Sequence, residues 1–164
     1  MLWPDFSKIP LSSGKGMTVE WLPMKPERVY EVAGYKARAV LVSHTIESAA
    51  FIVERGDDAI AYSGDTGPTA RLWELLSETP TLRAILMEVS FPDHQQALAR
   101  VSGHHTPATL NLEMDKLKGP HNPRELPVLL YHIKPFYQRE VERELARIKR
   151  RALEVLALGD EFLL

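Results

Sequence analysis

The chain has 164 residues, 45% of them hydrophobic and 26% charged, with a net charge of −2 and no cysteine. This is the composition of one ordinary globular domain, or of part of a larger one. It excludes disulfides and thiolate metal sites, and it offers no bulk positive field to attract nucleic acid.

Pro4, Pro10, Pro23 and Pro26 break up about the first 25 residues around one short expected strand, "MTVEWL". "VYEVAGYKARAVLVSH" predicts two strands joined at Ala33-Gly34, the second over 37–43. "AAFIVE" and "AIAYSG" predict a hairpin, because the intervening Arg55-Gly56-Asp57-Asp58 supplies a glycine for positive φ. "PTARLWELLSE" has Pro68 near its start and apolar residues at helical spacing. "RAILMEVSF" is a continuous apolar run, as expected of a strand buried on both faces. "DHQQALARV" and "TPATLNLEMDKL" read as helices, the second with Thr106 as N-cap and Pro107 at the first helical position. "LPVLLYHIKP" is another buried strand, closed by Pro135. "YQREVERELARIKRRA" predicts a long charged helix whose basic cluster is a solvated face. "LEVLALGDEFLL" ends the chain as a strand with a Gly-Asp turn. A strand-rich first half followed by alternating helix and strand predicts a layered α/β architecture. No internal repeat is visible.

Four expected strands end in side chains of metal-ligand type: Ser43-His44, Ser63-Gly64-Asp65, Glu88 and Tyr131-His132. Strand ends at one sheet edge are where α/β folds place chemistry. Taken singly, each residue has an ordinary reading. His44 can be a surface or capping histidine, and Asp65 a turn residue bonding its own backbone. His132 follows the apolar run "PVLLY", and a buried histidine must hydrogen-bond or ligate. Together they are more informative than any one alone. Without cysteine, a metal must be held by His, Asp and Glu, donors that suit zinc, manganese or iron. In "SGHHTP", His104 and His105 precede a helix N-terminus, which attracts anions. The local sequence fits an ordinary capped turn as well as a proton-transfer histidine beside an anionic substrate. Glu88 is either a satisfied strand-end carboxylate or the partner that orients such a histidine. His94 and His121 read as surface residues.

"VSHTIESAAFIVERGDDAIAYSGDTGPT", "MEVSFPDHQQALARVSGHHTP" and "LLYHIKP" together resemble the class II cyclic-nucleotide phosphodiesterases of the metallo-β-lactamase fold. The order His, Gly-Asp-Thr, Glu, His-x-Thr, His is also similar to the tRNA 3′-processing endonucleases of that fold. The Ser-Gly-His-x-Thr-Pro and His-Ile-Lys-Pro forms favour the phosphodiesterases. The resemblance runs from about Trp3 to Lys134. It implies part of a four-layer αββα sandwich with two divalent metal ions, usually zinc, at one edge. It further implies that His44 ligates the first ion, Asp65 bridges both and His132 ligates the second. A carboxylate has two oxygens and can span two ions ~3.5–4 Å apart. By the same resemblance His104 stabilises the phosphate or protonates the leaving oxygen, with Glu88 behind it, and the implied reaction is hydrolysis of 3′,5′-cyclic nucleotides such as cyclic AMP. His105 occupies a variable position and receives no role.

One departure is large. The fold's main metal motif, His-x-His-x-Asp-His, is absent, and no histidine precedes His44. Three ligands shared between two ions do not complete a binuclear zinc site. The expectation is therefore a single domain over residues 1–164 that forms the C-terminal part of a larger metallo-β-lactamase-like domain, inactive in isolation. Its partner is expected to be an N-terminal segment or a second copy, covering an otherwise exposed apolar sheet face. The Trp3-Pro4 loop at the start agrees. The alternatives are a related phosphodiesterase acting on RNA 3′ ends or another diester, and a non-catalytic remnant serving as an interaction module. The charge argues against nucleic acid. No membrane span is expected, since no apolar run approaches ~20 residues. "MLWPDFSKIPLSSGKG" lacks the basic start and apolar core of a secretory signal. A cytoplasmic location is expected, or a periplasmic one if a leader precedes the chain.

Overall fold

The computed structural model describes residues 5–122, 124–149 and 152–163. The Trp3-Pro4 loop and Arg150 and Arg151 of the basic cluster lie outside the described residues. Seven strands form one sheet in sequential order. They are β1 (Val29–Val32), β2 (Tyr35–Val42), β3 (Ser48–Arg55), β4 (Asp58–Tyr62), β5 (Leu82–Glu88), β6 (Pro127–Tyr131) and β7 (Ala152–Val155). The helices are α1 (Ala70–Ser77), α2 (Gln96–Ser102), α3 (Pro107–Met114) and α4 (Gln138–Leu145). The α/β class expected from the sequence is observed.

The first four strands form an antiparallel meander. Gly56, at φ 60°, turns the β3–β4 hairpin as its sequence requires. From β4 onward the pairing is parallel. Parallel connections are right-handed almost without exception, so strands added successively in one direction send their crossovers to the same face. That face carries Val40, Ile52, Ala61, Ile85, Met87, Val128 and Leu130. They share one core with Leu72, Trp73, Leu75 and Leu76 of α1, Leu110 and Met114 of α3, and Val141 and Leu145 of α4. Trp73 and Leu76 are fully buried, and each such side chain contributes about 1.5–3 kcal/mol of transfer free energy.

The opposite face presents Leu41, Phe51, Val53, Ile60, Tyr62 and Leu86, which are half-buried or exposed. Among the described residues no helix contributes to it. The structure is thus one helical layer on one sheet.

Two expected elements differ. "MTVEWL" is not a strand: only Met17 makes a bridge, to Pro10. Pro10 has no N–H to extend a ladder, and Trp21 and Leu22 stay 67% and 77% exposed. The long charged helix stops at Leu145, where Ile148 N already bonds back to Leu145 O. Its sequence favours helix, but the chain must reverse there to lay β7 beside β6, with Val155 opposite Leu130. Tertiary pairing overrides propensity.

Candidate metal centre

Strand direction brings the site together. β4, β5 and β6 are mutually parallel, and β2 runs in the same sense because two antiparallel pairings separate it from β4. All four therefore end at one sheet edge. His44 follows β2, Asp65 follows β4, Glu88 ends β5 and His132 follows β6. His104 arrives from another direction. It leaves the C-terminus of α2, where Gly103 adopts φ 72° and His104 N donates to Ala99 O at 2.8 Å.

Backbones meet closely here. A Cβ on Gly103 would lie 2.8 Å from both Cα and Nδ1 of His44, so only glycine fits. Gly67 N donates to Ser43 O at 2.7 Å, tying the Asp65 turn to the end of β2. Gly64 is similarly pressed, with a virtual Cβ 2.7 Å from Ala49 O.

The side chains grade from floor to rim. Glu88 is 0% exposed, His104 9%, His132 31% and Asp65 40%. Glu88 is the hub. Its Oε1 accepts His105 N at 2.9 Å and its Oε2 accepts Ser90 Oγ at 2.8 Å. The same Oε2 lies 3.4 Å from His104 Nδ1 and 3.8 Å from His132 Nδ1. Burial alone would raise its pKa. The neighbouring His104 and His132 outweigh burial, and the carboxyl is held below its ordinary value of 4.5.

The hydrogen bonds assign one tautomer. His44 Nδ1 lies 3.0 Å from Gly103 O, a pure acceptor, so Nδ1 carries the proton and Nε2 keeps its lone pair. A backbone carbonyl orienting the second nitrogen is the usual companion of a metal-binding histidine. Ser90 Oγ lies 2.8 Å from Glu88 Oε2, 3.1 Å from His132 Nδ1 and 3.2 Å from His132 O, so it ties this ring to the Glu88 hub without fixing its tautomer. His132 Nε2 in turn faces Lys134 Nζ at 3.2 Å. His132 also sits at φ 68°, an unusual conformation for a non-glycine residue that tends to accompany function.

Among the described residues, two groups of three have donor atoms close enough to hold an ion: His44, Asp65 and His104, and Glu88, His104 and His132. The spacing fits a divalent metal. Two donors on one ion, with bonds of about 2.1 Å, stand roughly 3 Å apart. Glu88 Oε2 and His104 Nδ1, both in the second group, are 3.4 Å apart, close to that edge length. His104 Nδ1 is buried without a hydrogen-bond partner, and such an orphaned donor atom suits a ligand. All five residues singled out in the sequence meet here. The geometry also places His104 and Glu88 among the possible donors, residues that sequence reasoning had set beside the phosphate instead.

Ser90 and Lys134 were missed. Ser90 had a signal, since residues i and i+2 of an extended chain share a face and Glu88 is two positions earlier. Lys134 stood in the His-Ile-Lys-Pro form, but its approach to His132 depends on the turn after β6. His105 has a structural place. It is 1% exposed, and its O accepts from Ser90 N at 3.0 Å. Burial, opposed by Glu88 and Glu113, holds its imidazole below the ordinary 6.5.

The fold and this cluster define an α/β protein with a histidine–carboxylate centre at the carboxyl ends of its strands. Solved structures place the fold more narrowly. The chain aligns over 84% of its length with YhfI of Bacillus subtilis, a metallo-β-lactamase fold protein, at TM-score 0.66 and 12% identity. It aligns over 87% with a metallo hydrolase of Ignicoccus hospitalis, at TM-score 0.61 and 12% identity. It aligns over 66% with the short form of human tRNase Z, at TM-score 0.52 and 20% identity. The chain has a metallo-β-lactamase fold. It spans 52%, 61% and 40% of those three proteins respectively, or about half their length. No protein-family model matches the sequence. No curated protein matches it either. No helix among the described residues is long and apolar enough to cross a membrane.

Proposed function

We propose that the chain is part of a metal-dependent phosphodiesterase that hydrolyses 3′,5′-cyclic nucleotides. The observation that carries this reading is the convergence of His44, Asp65, His104 and His132 at one sheet edge, with His44 Nε2 left free by its bond to Gly103 O. His44, Asp65 and His132 would hold divalent metal, zinc on the chemistry of the donors, with Asp65 between the two histidines. Such ions lower the pKa of water and offset the charge of a phosphodiester. His104 is the acid proposed for the leaving ribose oxygen, with the Glu88 carboxylate 3.4 Å from its Nδ1. Phe91, 5.9 Å from the His104 ring, excludes water from one side of it. Further ligands come from an N-terminal segment or a second copy.

The test is hydrolysis of cyclic AMP, of bis(p-nitrophenyl) phosphate and of RNA with a 3′ extension, assayed with zinc or manganese in the protein that carries this chain. Cyclic AMP turnover that Asp65→Asn reduces by two orders of magnitude or more is expected, as for loss of a metal-bridging carboxylate. Turnover of the RNA alone would move the substrate to RNA ends. Wild-type turnover in Asp65→Asn, or no diester hydrolysis at all, would remove the reading and leave an interaction module.

A further inference from the structure

His132 has a neighbour that neither metal group includes. Lys134 Nζ lies 3.2 Å from His132 Nε2 and 5.8 Å from the centroid of the Phe91 ring. The His104 ring stands 5.9 Å from Phe91 and 5.1 Å from the His132 ring. The ammonium, His132 and His104 are therefore contiguous around Phe91. Among the described residues, Lys134 is the one lysine or arginine whose charged head hydrogen-bonds or ion-pairs with a member of the cluster.

The backbone fixes this residue at the centre. Lys134 N donates to Ser90 O at 3.1 Å, and Ser90 Oγ itself joins Glu88 and His132. Lys134 O accepts Tyr137 N at 2.8 Å across the turn that Pro135 begins. The residue is half-buried. Neither partner of the ammonium carries a negative charge. Asp5 neutralises Lys8, and Glu113 neutralises Lys116. Among the described residues Lys134 forms no ion pair. The ring face attracts its charge without cancelling it. At most one of its three N–H donors is used, on His132. That contact is also exchangeable, because His132 is a proposed ligand. If Nε2 ligates, its lone pair is used; if Nδ1 ligates, the ring proton sits on Nε2. In both cases the ammonium loses its acceptor while Ser90 O still holds its backbone.

We infer that Lys134 grips the substrate's phosphodiester, giving its N–H donors to an unesterified oxygen in place of His132. The inference rests on the phosphodiesterase reading for the group that bears the anion, but its own content is the lysine. A phosphodiester carries a single negative charge, shared by its two unesterified oxygens, and one ammonium matches it. Attack by hydroxide adds a second charge to the same group. The contact is therefore stronger in the transition state than in the ground state, and its loss falls on kcat more than on KM.

The test uses the protein that carries this chain, with zinc or manganese. It has three readouts: calorimetric binding of dimethyl phosphate, turnover of bis(p-nitrophenyl) phosphate, and metal content after dialysis. Lys134→Met is expected to weaken dimethyl phosphate about tenfold and to lower kcat/KM about a hundredfold, mostly in kcat, the range of one charge-assisted hydrogen bond. Lys134→Arg keeps the charge and is expected to recover part of both. Metal content stays at the wild-type level in both variants, since Lys134 supplies no ligand. Three results would overturn the inference: no binding of dimethyl phosphate by the wild type, wild-type affinity in Lys134→Met, or a loss of metal in Lys134→Met that accounts for its lost turnover. The last would leave Lys134 as a prop for the His132 ring. The two readings fail separately. Diester hydrolysis that Lys134→Met leaves unchanged removes only the lysine, whereas Lys134-dependent binding of dimethyl phosphate without any diester hydrolysis removes only the phosphodiesterase assignment.

Discussion

Glu88 and His105 are joined by a buried hydrogen bond, His105 N to Glu88 Oε1 at 2.9 Å, which pins the His104 loop to the end of β5. The other carboxylate oxygen faces Ser90, His104 and His132. One side chain thus sets the distance between the histidine that comes from a helix and the histidine that comes from a strand. Glu88→Ala leaves the His105 N–H and the Ser90 hydroxyl without their partner, and a loss of about 3 kcal/mol is expected by denaturant titration. Glu88→Gln keeps an acceptor for His105 N and is expected to cost about half as much while weakening metal binding. Equal stability of both variants and the wild type would show that the hub is not structural.

Gly103 tests the approach of the loops. Alanine there meets His44 at 2.8 Å and must also hold φ 72°. Gly103→Ala is expected to cost about 1–3 kcal/mol and to disturb His44. A thermal midpoint within a degree of the wild type would mean that the two loops are freer to separate than this contact implies.

Acid sensitivity should come in two stages. His105 titrates below its ordinary 6.5 because burial excludes the charged ring, against the raising influence of Glu88 and Glu113. The unfolded chain therefore binds the proton first as pH falls. The contribution of His105 is complete above about 6.5 and is lost as pH falls toward its folded value. Glu88, held below 4.5, adds a second loss at lower pH: its contribution is complete above about 4.5 and disappears as pH falls through its folded value. His105→Gln should flatten the pH dependence of the denaturation midpoint as pH falls below about 6.5. The same slope in variant and wild type would assign the first stage to another group.

Metal titration separates a full centre from a partial one. His44, Asp65, His104, Glu88 and His132 form one continuous cluster in which both donor groups use His104. At most one zinc ion per chain, weakly held, is expected by equilibrium dialysis. Asp65→Asn, which removes the carboxylate placed between the two ligand histidines, should abolish it. Two tightly bound ions per chain would show that these residues suffice for a binuclear site.

The uncovered sheet face gives a fifth measurement. Leu41 and Tyr62 are 49% and 42% exposed on it, beside half-buried Phe51, Val53 and Ile60. Contiguous apolar surface of this kind associates. Sedimentation velocity should show concentration-dependent dimers, and Leu41→Lys should weaken them. A monomer at every concentration would discard the second-copy partner.

Much was legible in the residues themselves. Local chemistry marked the β3–β4 hairpin through Arg55-Gly56-Asp57, the start of α3 through Thr106-Pro107, and the strands through their apolar runs. The strand ends at His44, Asp65, Glu88 and His132 could be picked out because each polar side chain stops an apolar run. None of this depends on distant contacts. What depends on them was not legible. "MTVEWL" alternates like a strand but finds only Pro10, and "ELARIKRRA" favours helix but must turn to deliver β7 to β6. The meeting of Gly103 with His44, 59 positions apart, follows from the packing of α2 against the sheet edge. So does the Ser90–Glu88–His132 network, since Ser90 joins residues from two different strands. Which side chains carry ligand chemistry was thus determined by residue type and position along each strand. Which of them share a centre was decided by strand direction and right-handed crossover, which bring four strand ends to one edge and place α1, α3 and α4 on one face.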